Sequence, residues 1–174
     1  MRRLPTTDER FFDDKARRQV EVLFEAILPR TDTAPSATDA RAADFLDHLL
    51  AVDEETFYEV GPWRRLYATA LPALDAVAGE RFGRRLAELD VGQATELVAD
   101  LAGGSLGGLP GGIDQRGLFA TLRGHCIEGC FSDPRWGGNA QGIMWRWLGY
   151  PAPAEEPPRP VVGEAPGRRT DGGG

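Results

Sequence analysis

Residues 17–29 read Arg17-Arg18-Gln19-Val20-Glu21-Val22-Leu23-Phe24-Glu25-Ala26-Ile27-Leu28-Pro29, and they set the pattern for the chain. Val20, Leu23, Phe24 and Ile27 recur at i, i+3, i+4 and i+7, which gathers apolar side chains on one face of an α-helix. Upstream, Thr7 followed by Asp8 and Glu9 reads as an N-cap with acids against the helix dipole. The spacing therefore predicts a helix from about residue 8 to Leu28, stopped by Pro29.

The same period continues outward. A polar loop over 30–37 leads to a cap candidate at Thr38 and a helix with Phe45, Leu46, Leu49 and Leu50 on one side and acids on the other. Pro62 suits a first helical turn, and Leu66, Ala70, Leu74 and Val77 keep the next helix apolar on one face. Pro72 is expected to kink that helix or split it, and Gly79 and Gly83 to interrupt it before a short turn with Leu86 and Leu89. Asp90 caps a helix holding Leu97, Val98 and Leu101. Gly103–Gly112 is a Gly-rich loop, after which helix resumes near Gln115 and runs through Phe119, Leu122 and Cys126 to about Cys130. A second irregular loop spans 131–138, and Asn139 caps a last helix containing Met144, Trp145 and Leu148.

Period-2 alternation is sustained nowhere, so the expected fold is all-α: a small single-domain bundle of about five to seven helices with Gly-rich loops and an extended C-terminal tail. The expected organisation is an N-terminal arm over 1–7, a helical domain over 8–151 and a Pro/Gly-rich tail over 152–174, disordered or lying as a strap. Thirteen of the 22 glycines fall in residues 103–149, so irregular backbone is concentrated there.

The chain has 174 residues, 41% of them hydrophobic, which is enough for one packed core. Its formal charge is −7, and residues 31–60 alone carry that excess, with eight acids against Arg41. Arg pairs at 17–18, 64–65 and 84–85 extend into no basic face, so nucleic acid is excluded as a general partner. No window approaches the roughly 20 apolar residues of a membrane span. Met1-Arg2-Arg3 is followed by Pro5-Thr6-Thr7-Asp8-Glu9-Arg10 rather than an apolar stretch, so the expected location is cytoplasmic. Two cysteines make no disulfide framework.

Chemistry-bearing clusters are few. The 103–112 loop lacks the Lys-Ser/Thr ending of a phosphate-binding loop, and no strand precedes it. His125, Cys126 and Cys130 form the sharpest cluster, with the cysteines four apart on one helix face. Thiolates and an imidazole suit zinc or copper, but a closed zinc site takes four ligands, and the other histidine, His48, is far away in sequence. The alternatives are a small metal-dependent or redox centre and two small residues on a core face. No nucleophile–base set assembles, and adjacent acids such as Asp13–Asp14 and Glu54–Glu55 point apart and read as solvated. Of Trp63, Trp136, Trp145 and Trp147, three fall within twelve residues beside a Gly-rich turn. They read equally as interface anchors or as a mini-core sealing the loop.

Glu128-Gly129-Cys130-Phe131-Ser132-Asp133-Pro134-Arg135-Trp136-Gly137-Gly138-Asn139, then Trp145 and Leu148-Gly149-Tyr150-Pro151, resembles the C-terminal signature of the gluconate 2-dehydrogenase subunit 3 family. Phe11-Phe12, Ile27-Leu28-Pro29-Arg30-Thr31-Asp32-Thr33 and Ala43-Asp44-Phe45-Leu46-Asp47 resemble its N-terminal half, so the similarity covers about residues 8–151. The resemblance implies a non-catalytic accessory or chaperone-like subunit of an FAD-dependent sugar or glycoside dehydrogenase. FAD would sit in a large glucose-methanol-choline type partner, not in this chain, and electrons would pass to a cytochrome or another acceptor. For such a subunit the physical expectation is partner binding through the loop residues Phe131, Ser132, Asp133, Pro134, Trp136, Gly137, Gly138 and Asn139 together with Trp145; the equal alternative makes this loop an internal keystone of the fold, with docking by helix faces elsewhere. A stand-alone helical adaptor is the competing binding-protein reading.

Overall fold

The computed structural model describes residues 10–110 and 112–150. Among these the chain forms α1 (Asp14–Ile27), α2 (Ala42–Ala51), α3 (Val60–Phe82), α4 (Val91–Gly103), α5 (Gln115–Phe131) and α6 (Ile143–Trp147). Short 3-10 turns lie at Leu86–Glu88, Pro134–Trp136 and Ala140–Gly142, and no strand is present among the described residues. The fold is all-α, as the periodicity predicts. The arm over 1–7, the Thr7 cap with its acids and the tail over 152–174 lie outside the described residues.

α5 is the central helix. It packs against α2 and α4 and touches α1, while α1 also packs on α4, and α3 lies against α2 and the Leu86–Glu88 turn. Val20, Leu23 and Phe24 of α1 meet Leu46 and Leu50 of α2, Leu97 and Leu101 of α4, and Leu118, Leu122 and Cys126 of α5 in one buried core. These are mostly the positions picked out by the i, i+3, i+4 spacing, because burial of that stripe is what drives an amphipathic helix onto its neighbours.

Several local expectations are corrected. α1 begins at Asp14 rather than residue 8, with the Asp13 carboxylate accepting the Ala16 N–H at 2.7 Å. Phe11 and Phe12 stay outside the helix because both donate their N–H groups to Asp47 Oδ1, at 2.8 and 2.9 Å. Ahead of α2, Thr38 does not act as the cap; Ser36 and Asp39 brace a separate turn, with Ser36 N–H donating to Asp39 Oδ2 (2.9 Å) and Asp39 N–H to Ser36 Oγ (3.2 Å). The turn so formed ends at Arg41 in the left-handed region, and regular helix starts at Ala42. α3 runs unbroken through Pro72 and Gly79 and ends at Gly83. Pro72 and Ala68, whose carbonyl loses its normal donor there, are both exposed, so water can serve that carbonyl.

The acids of α2 do not form a solvated face. Asp44 and Asp47 are buried: Asp44 pairs with Arg17 and Arg41, and Asp47 holds the Phe11–Phe12 backbone. Part of the acidic excess of residues 31–60 is therefore spent inside the fold, on ion pairs and caps that fix how α1 meets α2.

Candidate functional site

The C-terminal end of α5 is built from the residues singled out in sequence. A helix end leaves carbonyls without intrahelical donors. Here they are served by the returning chain. Asn139 N–H donates to Gly129 O at 2.8 Å, Asn139 Nδ2 to Ser132 O at 3.0 Å, and Trp145 Nε1 to Phe131 O at 3.0 Å. Asn139 Oδ1 accepts the Met144 N–H (3.0 Å), which starts α6, and Ala140 N–H reaches Ala40 O (3.0 Å) ahead of α2.

Two features let the chain return so tightly. Asp133 accepts the Arg135 N–H (3.0 Å) and forks with the Arg135 guanidinium (Nη2–Oδ2 2.6 Å), which holds the carboxyl below its ordinary range and closes the Pro134–Trp136 turn. Gly137 then turns at φ 98°, a value that side chains disfavour. Gly138 passes so close to α5 that a Cβ on it would run into the Gly129 carbonyl.

Gly138 and Asn139 are buried, while Phe131, Ser132, Asp133, Pro134, Trp136, Gly137 and Trp145 are half-buried. Phe131 and Trp136 rest against the core. The loop's inner side is thus a mini-core, and its outer edges remain accessible. The large apolar side chains that stand out most at this end are different ones: Trp147 is 48% exposed, Leu148 49% and Tyr150 63%. Leu148, expected inside the last helix, lies beyond its end. A five-residue helix whose buried side is taken by Met144 has no remaining face to hide them. The available sequence signal was three large apolar residues within four positions just ahead of a Pro-rich segment.

His125, Cys126 and Cys130 are all buried in α5. His125 Nδ1 shares a hydrogen bond with Tyr67 Oη at 2.8 Å, and its ring meets Trp63 edge-on at 4.6 Å. Burial lowers its pKa to about 4, so the imidazole is neutral at pH 7. Burial, with Cys126 and Glu128 nearby, raises the Tyr67 phenol well above its ordinary value. Cys126 Sγ points to the Phe24 carbonyl at 3.7 Å; its hydrogen bond with Cys130 and its burial push the thiol up, away from thiolate. Among the described residues no group of three or more His, Cys, Asp or Glu is placed to hold a metal ion. None of the described helices is long and apolar enough to cross a membrane.

A family model described as gluconate 2-dehydrogenase subunit 3 matches residues 14–151. No curated protein and no solved structure matches the chain.

Proposed function

The chain belongs to the gluconate 2-dehydrogenase subunit 3 family, and from that premise we propose that it is the non-catalytic small subunit of an FAD-dependent sugar or glycoside dehydrogenase. It binds a large glucose-methanol-choline type flavoprotein and supports that partner's folding, flavin loading or solubility. The flavin belongs to the partner, and electrons leave through the complex to a cytochrome or other acceptor.

The observation that carries this reading is the cluster of Trp147, Leu148 and Tyr150, left about half exposed or more, beyond a loop that is otherwise closely braced. Aromatic and aliphatic groups on a rigid support, rimmed by polar atoms, are what an interface uses as anchors. The braced loop fixes their positions before binding, which spares the ordering cost of association. The outer edges of Phe131, Trp136 and Trp145 extend the same surface, while Gly137, Gly138 and Asn139 act by shaping it. Ser132, Asp133 and Pro134 set the turn that presents it.

Co-expression with the cognate large flavoprotein tests this. The wild-type chain is expected to co-purify with a yellow, flavin-loaded partner, and the partner alone to be poorly loaded or insoluble. Leu148→Ser with Tyr150→Ser should leave the melting temperature of the isolated chain within about 2 °C, since both side chains face solvent, yet abolish co-purification. A flavoprotein equally soluble, loaded and active without this chain would refute the proposal.

A further inference from the structure

Inside the helical domain a run of aromatic contacts leads from the surface to a buried phenol, and the docking edge makes no use of it. Tyr67 of α3 is only 1% exposed, and its Oη lies 2.8 Å from His125 Nδ1 on α5. Their rings stack with centroids 5.8 Å apart. His125 in turn meets the Trp63 ring edge-on at 4.6 Å. Trp63 is half-buried, so it joins the buried pair to the surface.

Hydrogen-bond accounting fixes the direction of the Tyr67–His125 bond. A neutral imidazole carries one donor and one acceptor nitrogen, and a phenol can play either part. His125 is neutral at pH 7, since burial takes its pKa to about 4. Tyr67 Oη makes no other hydrogen bond among the described residues. An imidazole that donated would leave the buried phenol proton without an acceptor, at the full cost of an unmet donor. Tyr67 therefore donates to Nδ1, and the ring proton sits on Nε2. A phenol that loses an electron becomes a very strong acid, and here a neutral base stands ready to take its proton. Cys126, the neighbouring thiol, is not so placed: its Sγ points to the Phe24 carbonyl at 3.7 Å, which takes up no proton.

We propose that Tyr67 is a redox-active tyrosine: a one-electron oxidant of the oxygen-radical class takes an electron from Trp63, Tyr67 refills Trp63 across His125, and the phenol proton passes to His125 Nδ1. The products are a neutral Tyr67 phenoxyl radical, an imidazolium at His125 and the reduced oxidant. Glu128 is near enough to Tyr67 to act on it electrostatically, and it opposes the positive charge that forms there. An enediol reductant of the ascorbate type reverses the step. It gives one electron through Trp63 and releases its own proton to water, while the His125 proton returns to Tyr67. The pair thus holds an oxidising equivalent inside the core, away from the exposed Trp147 and Tyr150, until a reductant removes it. This stands independently of the subunit reading above.

The test uses the full chain carrying Tyr58→Phe and Tyr150→Phe, which leaves Tyr67 alone of its three tyrosines. Both replaced side chains are exposed, so the fold is expected to be kept. Flash oxidation with photogenerated ruthenium(III) tris-bipyridine, followed by electron paramagnetic resonance, should give a tyrosyl signal that outlasts that of tyrosine in a short peptide. Adding Tyr67→Phe should remove this signal and leave tryptophan radicals. Trp63→Phe should lower its yield severalfold, and the signal should form more slowly in heavy water than in water. His125→Gln keeps a hydrogen-bond acceptor but no base and should also lower the yield; if that variant folds poorly, the heavy-water comparison on the parent chain decides. A Tyr67–His125 bond of purely structural role produces none of these effects. Tryptophan radicals alone in the parent chain overturn the proposal. So does a tyrosyl yield unchanged by Trp63→Phe, or a rate equal in water and heavy water.

Discussion

Replacing Asp75 with asparagine removes one charge from the junction of α1, α3 and the Leu86–Glu88 turn. The carboxylate is buried, and its Oδ2 receives Lys15 Nζ at 2.8 Å and Arg85 Nη1 at 3.2 Å. Its Oδ1 accepts the Leu86 N–H at 2.8 Å. Burial by itself would raise the pKa, but the bonds from Lys15, Leu86 and Arg85 outweigh it and bring the group to about 2, against an ordinary 3.8. At roughly 1.4 kcal/mol per pH unit, that gap corresponds to about 2 kcal/mol of stability at neutral pH. Lys15 and Arg85 are more than half exposed, so solvent screening trims the figure to about 1–2 kcal/mol. Because the folded pKa lies below the unfolded one, this contribution is complete above about pH 4 and is lost as the pH falls toward about 2. Asparagine keeps an acceptor for Leu86, so the charge is what changes. Urea unfolding of wild type and Asp75→Asn should show a gap of about 1–2 kcal/mol at pH 7 and pH 5, narrowing to about half of that near pH 3 and closing toward about pH 2. His125, whose burial takes it to about 4, weakens both proteins alike as the pH falls from 6.5 toward that value and cancels in the difference. A gap of equal size at pH 7 and pH 3 would refute the ion-pair account and assign the loss to packing.

Three further outcomes are expected. Gly138→Ala forces a Cβ into the Gly129 carbonyl and strains the Asn139 N–H bond there. The cost should be about 3 kcal/mol, a fall of about 6–12 °C in a thermal melt, with no gain in helix propensity to offset it. Tyr67→Phe strips the buried His125 Nδ1 of its partner and should destabilise the chain by about 1–3 kcal/mol in chemical unfolding. Cys126 and Cys130 are buried, so a thiol-reactive dye should label them only after denaturant is added, and fast labelling of the native chain would contradict their placement.

The helix assignments were legible because each long helix carries an apolar stripe whose spacing survives in one dimension. Asp90, as expected, caps α4 by accepting the Gln93 N–H at 2.9 Å. The misreadings share a cause. Local residue preference offers Thr7 and Thr38 as caps; Thr7 lies outside the described residues, while α1 starts behind Asp13 because Asp47 takes the Phe11 and Phe12 N–H groups, and Thr38 caps nothing because its own N–H goes to Glu25 and α2 starts only after Arg41. The burial of Asp44 and Asp47, which the helical pattern places opposite the apolar stripe, is hidden in sequence because their partners, Arg17 and the Phe11–Phe12 amides, lie 27 to 36 positions away. Pro72 read as a break, yet its exposure leaves the helix intact.

The candidate site divides in the same way. The run from Phe131 to Asn139 could be identified as a special turn from its residues alone, since Asp before Pro and paired glycines restrict the backbone locally. The inward role of Asn139 could not, because it depends on carbonyls of α5 becoming available at the helix end. The exposure of Trp147, Leu148 and Tyr150 was equally hidden: an apolar residue is exposed only relative to what surrounds it.

By itself the sequence determined the all-α class, the positions of the long helices, the concentration of irregular backbone after residue 103 and the family. These follow from local periodicity, backbone restriction and a contiguous signature. Only the tertiary structure decided which acids are buried, which aromatics face outward, and that Tyr67 and His125 meet inside the core. Those properties are set by groups far apart in the chain that meet only once the helices pack.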